Sequence, residues 1–458
     1  MIHEAATRRA FLRSMAVGSG ALAATSSGRA ASAGWGQLPG ILRRIKPPSF
    51  PRRHFDVTSF GAAGDGGKDS TDAIARAIAA CAQAGGGRVV VPAGDYLTGA
   101  IHLRSNVNLV VSAGARLKFS RDPKSYLPLV FTRYEGVECM NYSPLVYALG
   151  QQNIAVTGAG TLDGQADEEH WWNWRRSQGK ARTALFQMGE KDVPVSERLF
   201  GEGAFLRPSL LQTYQCKNVL IEGITVRNTP MWQLNPVLCD NVVVRRVRMI
   251  SHGPNNDGCD PECCRDVLIQ DCLFDAGDDC IAIKSGRNRD GRRVAAPSEN
   301  IVVRGCQMKD GHGGVTIGSE ASGGVRNVFA ENCQMDSPHL DRVLRLKTNS
   351  VRGGAIEHVY MRKVAVGEIA DAVLQIDLFY EEGDKGGFPP SVHDIEMREV
   401  TCRRSARALD IRGYSSAPVR DVRLMDCVFE NVAGPDVVQN VEGLQFTRTR
   451  VNGLSRTE

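Results

Sequence analysis

Asn218-Val219-Leu220-Ile221, Asn241-Val242-Val243-Val244, Asp266-Val267-Leu268-Ile269, Asn300-Ile301-Val302-Val303 and Asn327-Val328-Phe329-Ala330 open five successive segments in one way: a polar residue, then a short aliphatic run. The same opening returns at His358, Asp394 and Asp421, at spacings of 23 to 36 residues, too irregular for a fixed-length solenoid and suited to coils joined by loops of varying length. Six positions after each start stand Ile224, Val247, Cys272, Cys306, Cys333, Val364, Val400 and Cys427. A column in which cysteine and branched aliphatics exchange is a core column, so these thiols read as small apolar fillers rather than disulfide halves. Metal binding by Cys259, Cys263 and Cys264 is the alternative, but no second ligand cluster at zinc spacing accompanies them.

Each coil carries a further strand: Ile281-Ala282-Ile283-Lys284, Val315-Thr316-Ile317-Gly318, Leu344-Arg345-Leu346-Lys347, Leu374-Gln375-Ile376-Asp377 and Leu409-Asp410-Ile411-Arg412. Period-two alternation turns the aliphatics inward and sets two outward files, Ala282-Thr316-Arg345-Gln375-Asp410 and Lys284-Gly318-Lys347-Asp377-Arg412. The pattern predicts an all-β, single-domain right-handed parallel β-helix over residues 54–458. An open first rung needs a cover. Asp69-Ser70-Thr71 ahead of Ala73-Ile74-Ala75-Arg76-Ala77-Ile78 reads as an N-cap and an N-terminal capping helix, stopped by Gly85-Gly86-Gly87.

Composition sets the outer limits. The chain has 458 residues with 42% hydrophobic, 23% charged and 48 glycines, a globular sequence rich in tight turns. No apolar run reaches the ~18 residues of a membrane span. Of the formal +5, residues 1–33 carry +3 and Arg43, Arg44, Lys46, Arg52 and Arg53 five more, leaving the body from Phe55 onward at −3. That balance gives no nucleic-acid footprint, and an anionic ligand would have to meet a local basic site. Thr7-Arg8-Arg9-Ala10-Phe11-Leu12, the weakly apolar Met15–Ala24 run and Ala31-Ser32-Ala33 are similar to a twin-arginine signal peptide over residues 1–33, which implies a periplasmic or extracellular home. Residues 34–53 are Pro- and Arg-rich and read as a linker or a wrapping arm. Oligomeric state is not legible.

Polar groups gather beside the outward files at comparable offsets on consecutive coils: Asn256-Asp257-Gly258, Gly277-Asp278-Asp279, Gly311-His312-Gly313 and Arg345-Leu346-Lys347. Taken singly they are turn formers or a solvated strand face. Together they bring three carboxylates, an imidazole and two cations to one strip. Crowded carboxylates cannot all ionise freely, so one keeps its proton while its neighbours stay charged, which separates an acid from a base. This suits glycosidic cleavage, with Arg345 and Lys347 meeting a substrate carboxylate such as that of a uronic acid.

In order and spacing these four motifs resemble the signature of glycoside hydrolase family 28, the polygalacturonases and related pectin hydrolases, and the likeness extends to Phe60-Gly61-Ala62 and Gly160-Thr161-Leu162-Asp163-Gly164. One departure is Asn256, where the family usually has Thr. The resemblance implies Asp278 as general acid, Asp257 and Asp279 as the pair that activates water, His312 as a group tuning the acid, and Arg345 and Lys347 as ligands of the galacturonate carboxylate. It also suggests Tyr380 and Asp260 as substrate-binding residues, no metal and no cofactor, an anionic pectic polysaccharide or oligogalacturonide as partner, and inversion of configuration by an exo-acting bacterial-type enzyme. Rung spacing near ~5 Å points instead to retention by the usual separation rule, whereas inverting pairs stand ~6.5–9.5 Å apart. Other readings are a rhamnogalacturonan or xylogalacturonan hydrolase, a calcium-dependent pectate lyase and a non-catalytic glycan-binding β-helix. Trp171 and Trp172, beside the acidic Asp167-Glu168-Glu169, either wall the cleft or pack on the coil.

Overall fold

A computed structural model describes residues 34–456; the twin-arginine segment lies outside the described residues. The strand openings pair in parallel from coil to coil, Val219 with Val242, then Val267, Ile301, Val328, Val359, Ile395 and Val422 in unbroken register. The polar residue that starts each run takes left-handed backbone, with φ between 53° and 60° at Asn153, Asn218, Asn241, Asp266, Asn300, Asn327, His358, Asp394 and Asp421. Asn and Asp tolerate that conformation better than other side chains, which explains their recurrence. Their amides also bond along the stack: Asn218 Nδ2 donates to Asn153 Oδ1 at 2.8 Å and Asn241 Nδ2 to Asn218 Oδ1 at 2.8 Å. Each coil thus turns at a pinned corner, and loop length varies elsewhere.

Three parallel faces result, closing a right-handed parallel β-helix whose single long core fills the interior. The Ile224-to-Cys427 column lies in that core, and all thirteen cysteines are free and buried. Ala282 aligns with Thr316, Arg345, Gln375 and Asp410, and Gly318 with Lys347, Asp377 and Arg412. Helix α1, Leu38–Arg44, lies on the outside of another face: Trp35, Leu38, Ile41 and Ile45 pack on Ala155, Leu220, Val243, Val302, Phe329 and Tyr360. The Trp35 indole donates to Glu396 Oε1 at 3.1 Å, and Arg44 pairs with Asp266 at 2.8 Å.

Helix α2, Thr71–Gln83, covers the first rung with Ala73, Ile74, Ala77, Ile78 and Cys81. Its cap is Asp69, whose Oδ1 accepts from the Thr71 amide at 2.8 Å, while Ser70 makes no side-chain cap bond. Gly86, at φ 102°, ends the helix where a Cβ would stand 2.5 Å from the Asn106 carbonyl oxygen. No helix among the described residues is long and apolar enough to cross a membrane.

Candidate active site

The site sits at the mouth of the Ala282-Thr316-Arg345 face. Asn256 is fully buried and builds the turn that presents Asp257: its Oδ1 accepts from Gly253 N at 2.9 Å, and its Nδ2 donates to the Thr229 and Met231 carbonyls, both at 3.1 Å. On the next coil Gly277 lets the Asp278-Asp279 turn press against its neighbour, since a Cβ there would stand 2.6 Å from the Gly253 carbonyl oxygen. One oxygen from each of Asp257, Asp278 and Asp279 lies within 4.8 Å of the others. Consecutive coils therefore do converge.

The three differ sharply in their partners. Asp279 is sealed; its Oδ1 accepts from Thr316 Oγ1 at 2.8 Å and Arg345 Nη1 at 3.2 Å, and its Oδ2 from Lys347 Nζ at 2.7 Å. Burial works against its charge, but Lys347 and Arg345 prevail and hold it well below the ordinary carboxylate range. Asp278 faces the groove, its side chain 17% exposed, with His312 Nδ1 3.0 Å from its Oδ1. Burial again opposes ionisation, but the hydrogen bond from His312, together with the charge of Lys347, overcomes it, so Asp278 lies below its ordinary value. The same hydrogen bond raises His312. Asp257, 5% exposed, has among the described residues no hydrogen-bond partner for Oδ1, and Lys284 Nζ stands 3.8 Å from its Oδ2. Burial, then the Asp278 charge, push it up to about 8. Burial thus favours the proton on Asp257, while the imidazole favours the ionised form of Asp278.

A groove of about 500 Å³ runs past these groups, lined on the chemical side by Asp257, Asp278, His312, Arg345, Lys347 and Tyr380. The Tyr380 ring stands 5.2 Å from Lys347 Nζ and 5.8 Å from the Arg345 guanidinium carbon. Asp260, expected from the resemblance to bind substrate, is fully buried and is not among the residues that line the groove. Its strand position points outward, but Lys284 closes over it, the ammonium 3.7 Å from Oδ2.

The opposite wall was not legible. It comes from the insertion between strands Thr161–Asp163 and Leu211–Tyr214, which forms helices α3, Trp174–Ser177, and α4, Gly179–Glu190, and from the hairpin Val130–Tyr134/Val137–Asn141. Arg182 on α4 reaches across to Glu135 Oε2 at 2.6 Å and lies 4.0 Å from Glu381 Oε1. Glu135, Gln178, Arg182, Trp232, Glu320 and Glu381 line this end. These segments break the coil repeat, which removed the only signal for them; Trp171 and Trp172 pack on the coil, Trp172 Nε1 donating to the Thr229 carbonyl at 2.9 Å.

Among the described residues two clusters have the spacing of metal ligands, the trio itself and His252-Asp275-Asp310. In the trio Lys347 and Arg345 already compensate Asp279 and His312 meets Asp278, so a cation would compete with side chains in place. His252 and Asp275 pair with each other at 2.8 Å, away from the groove. The trio with its cations can protonate a leaving oxygen, activate a water and hold an anionic sugar.

The family model for glycosyl hydrolases family 28 matches residues 200–446, and one for rhamnogalacturonase A/epimerase, pectate lyase-like proteins matches residues 54–120. Among solved structures, a hyperthermoactive exopolygalacturonase from Thermotoga maritima is 41% identical, covers 92% of this chain and 97% of its own, and superposes with a TM-score of 0.90. A probable polygalacturonase of Vitis vinifera is 26% identical over 87% of this chain and 77% of its own length. An exo-poly-alpha-D-galacturonosidase of Dickeya chrysanthemi is 25% identical over 87% and 71%.

Proposed function

We propose that this chain, which belongs to glycosyl hydrolases family 28, hydrolyses the α-1,4-galacturonosyl linkages of pectin by general acid–base catalysis with inversion, cutting from a chain end. A glycoside hydrolase of pectin degradation is the coarse statement its relatives support. The observation that carries the finer one is the convergence of Asp257, Asp278 and Asp279 in one groove with Arg345 and Lys347.

Asp278 is the most exposed of the trio and the one able to reach a glycosidic oxygen. The proton it must deliver is the one the trio retains on Asp257, whose carboxylate oxygen lies within 4.8 Å of that of Asp278, a gap one water bridges, and the pair titrates as a unit. Once the proton is on Asp278, Asp257 is an anion and accepts a proton from the attacking water with Asp279 beside it. Covalent attack by Asp279 is disfavoured, because its oxygens are committed to Thr316, Arg345 and Lys347. This favours water, and hence inversion, despite the short separation. Arg345 and Lys347 hold the sugar carboxylate at the cleavage point. Exo action rests on the names of the Thermotoga and Dickeya relatives and on the Arg182–Glu135 wall. Export by the twin-arginine route rests on the sequence of residues 1–33 alone, the Arg8-Arg9 motif, the Met15–Ala24 apolar run and Ala31-Ser32-Ala33.

A time course on polygalacturonate tests the reading. Reducing sugar appears as monomer or dimer from the start, without a product absorbing in the ultraviolet, and survives chelator; Asp278→Asn abolishes it while substrate binding remains. An unsaturated, chelator-sensitive product, or full activity in Asp278→Asn, overturns it.

A further inference from the structure

Behind the trio is a group that the chemistry above does not use. Asp260 has no exposed surface, and among the described residues neither of its carboxylate oxygens has a hydrogen-bond donor. Asp257 Oδ1 is equally orphaned. Among the described residues the ammonium within 4 Å, Lys284 Nζ, stands 3.8 Å from Asp257 Oδ2 and 3.7 Å from Asp260 Oδ2, beyond hydrogen-bond length. Lys284 is instead engaged at 3.3 Å by Glu320 Oε2 and at 3.4 Å by the Gly318 carbonyl. Glu320 is in turn paired with Arg287 at 3.2 Å.

Three buried acceptor atoms without donors are costly, and a second full anion beside Asp257 more so. Among the described residues the groups facing this spot are Lys284, Glu320, Asp278, Asp279 and Lys347, and only Lys284 brings positive charge to Asp260 itself. The donor that is missing can be supplied by the carboxyl groups themselves. Resting on the reading of Asp257 as part of the catalytic trio, we propose that Asp260 is a permanently protonated positioning residue that donates its hydrogen bond to Asp257. This fixes the rotamer of Asp257 and steadies its anion when the shared proton moves to Asp278. Ala282, the residue in register with Asp260 on the next rung, adds only a methyl group there and leaves the two carboxyl groups room to meet. Burial and the neighbouring Asp257 charge, raising Asp260 well above the ordinary carboxylate range, act in the same sense.

The test reads the proton directly. In infrared spectra of the substrate-free full-length enzyme at pH ~9, above the titration of Asp257, a carboxylic-acid C=O stretch persists; Asp257→Asn keeps it and Asp260→Asn removes it. Absence of that band in the parent enzyme, or its loss in Asp257→Asn and survival in Asp260→Asn, overturns the proposal whether or not the protein cleaves pectin. Kinetics give the second arm: Asp260→Ala lowers kcat about 10- to 100-fold, the loss of one hydrogen bond to a charged group, with KM little changed, and shifts the alkaline limb of the pH profile. Asp260→Asn, a neutral donor of the same shape, restores most of kcat. Loss of kcat in Asn equal to that in Ala refutes a donor role, while inactivity of the parent with the band in place refutes the pectin reading only.

Discussion

Replacing Asp257 by Asn should stabilise the fold while destroying activity, by an amount that depends on pH in a stated way. Folded Asp257 is pushed up from 3.8 to about 8, so across the interval between these values the native state holds a proton that the unfolded chain has released. A raised carboxyl makes stability fall as pH rises, because the native state binds more protons than the unfolded one. At ~1.36 kcal/mol per unit, the penalty reaches about 4 kcal/mol at pH 7 and vanishes near pH 4. Asn has the same shape and no ionised form, so the penalty disappears. Urea unfolding of both proteins at pH 5 and pH 7 measures it: the advantage of Asp257→Asn should grow by about 3 kcal/mol between the two. Its kcat should fall by about 10²- to 10⁴-fold. An advantage independent of pH, or a parent enzyme more stable at pH 7, would show that Asp257 is ionised in the resting site and refute the argument.

The kcat/KM profile should fall as pH rises through about 8, where the proton leaves Asp257, and stay high on the acid side because Asp279 is held low; an alkaline fall near ~5 contradicts this. Arg345→Ala should raise KM for polygalacturonate at least ~10-fold and much less for a methyl-esterified substrate, since a charge-assisted bond is what is lost. Trp35→Ala should cost about 3 kcal/mol of stability and leave kcat unchanged, because the indole packs on a face remote from the groove. Native protein should be inert to an aqueous thiol reagent and titrate 13 thiols once unfolded, as every cysteine is buried and free.

What was legible followed the physical periods of the chain. Period-two alternation and the recurring left-handed corner, from Asn218 to Asp421, specify the coils, their core column and the register that lines up Ala282, Thr316 and Arg345. The same register made the Asp257-Asp278-Asp279-His312 strip visible, because each member sits at a comparable offset on its coil. The far wall was invisible because Glu135 and Arg182 belong to segments without that period. The depth of Asp260 was not legible either: its expected role came from likeness to a family, which says nothing of burial, and here Lys284 lies against a short acid. Likewise the Asp69-Ser70-Thr71 cap was legible as a group, but which side chain accepts from the first turn, Asp69, was decided by the final geometry.

The docked arm has a consequence in time. Trp35 bonds to Glu396, a residue 361 positions later, and lies against Phe329 and Tyr360, so its seat does not exist until most of the spiral has been wound. The beginning of the described chain must therefore wait, unsettled, for the end to arrive. A spiral halted early, or slipped by one coil, offers this tryptophan nowhere to go, and an indole left in water marks the unfinished molecule.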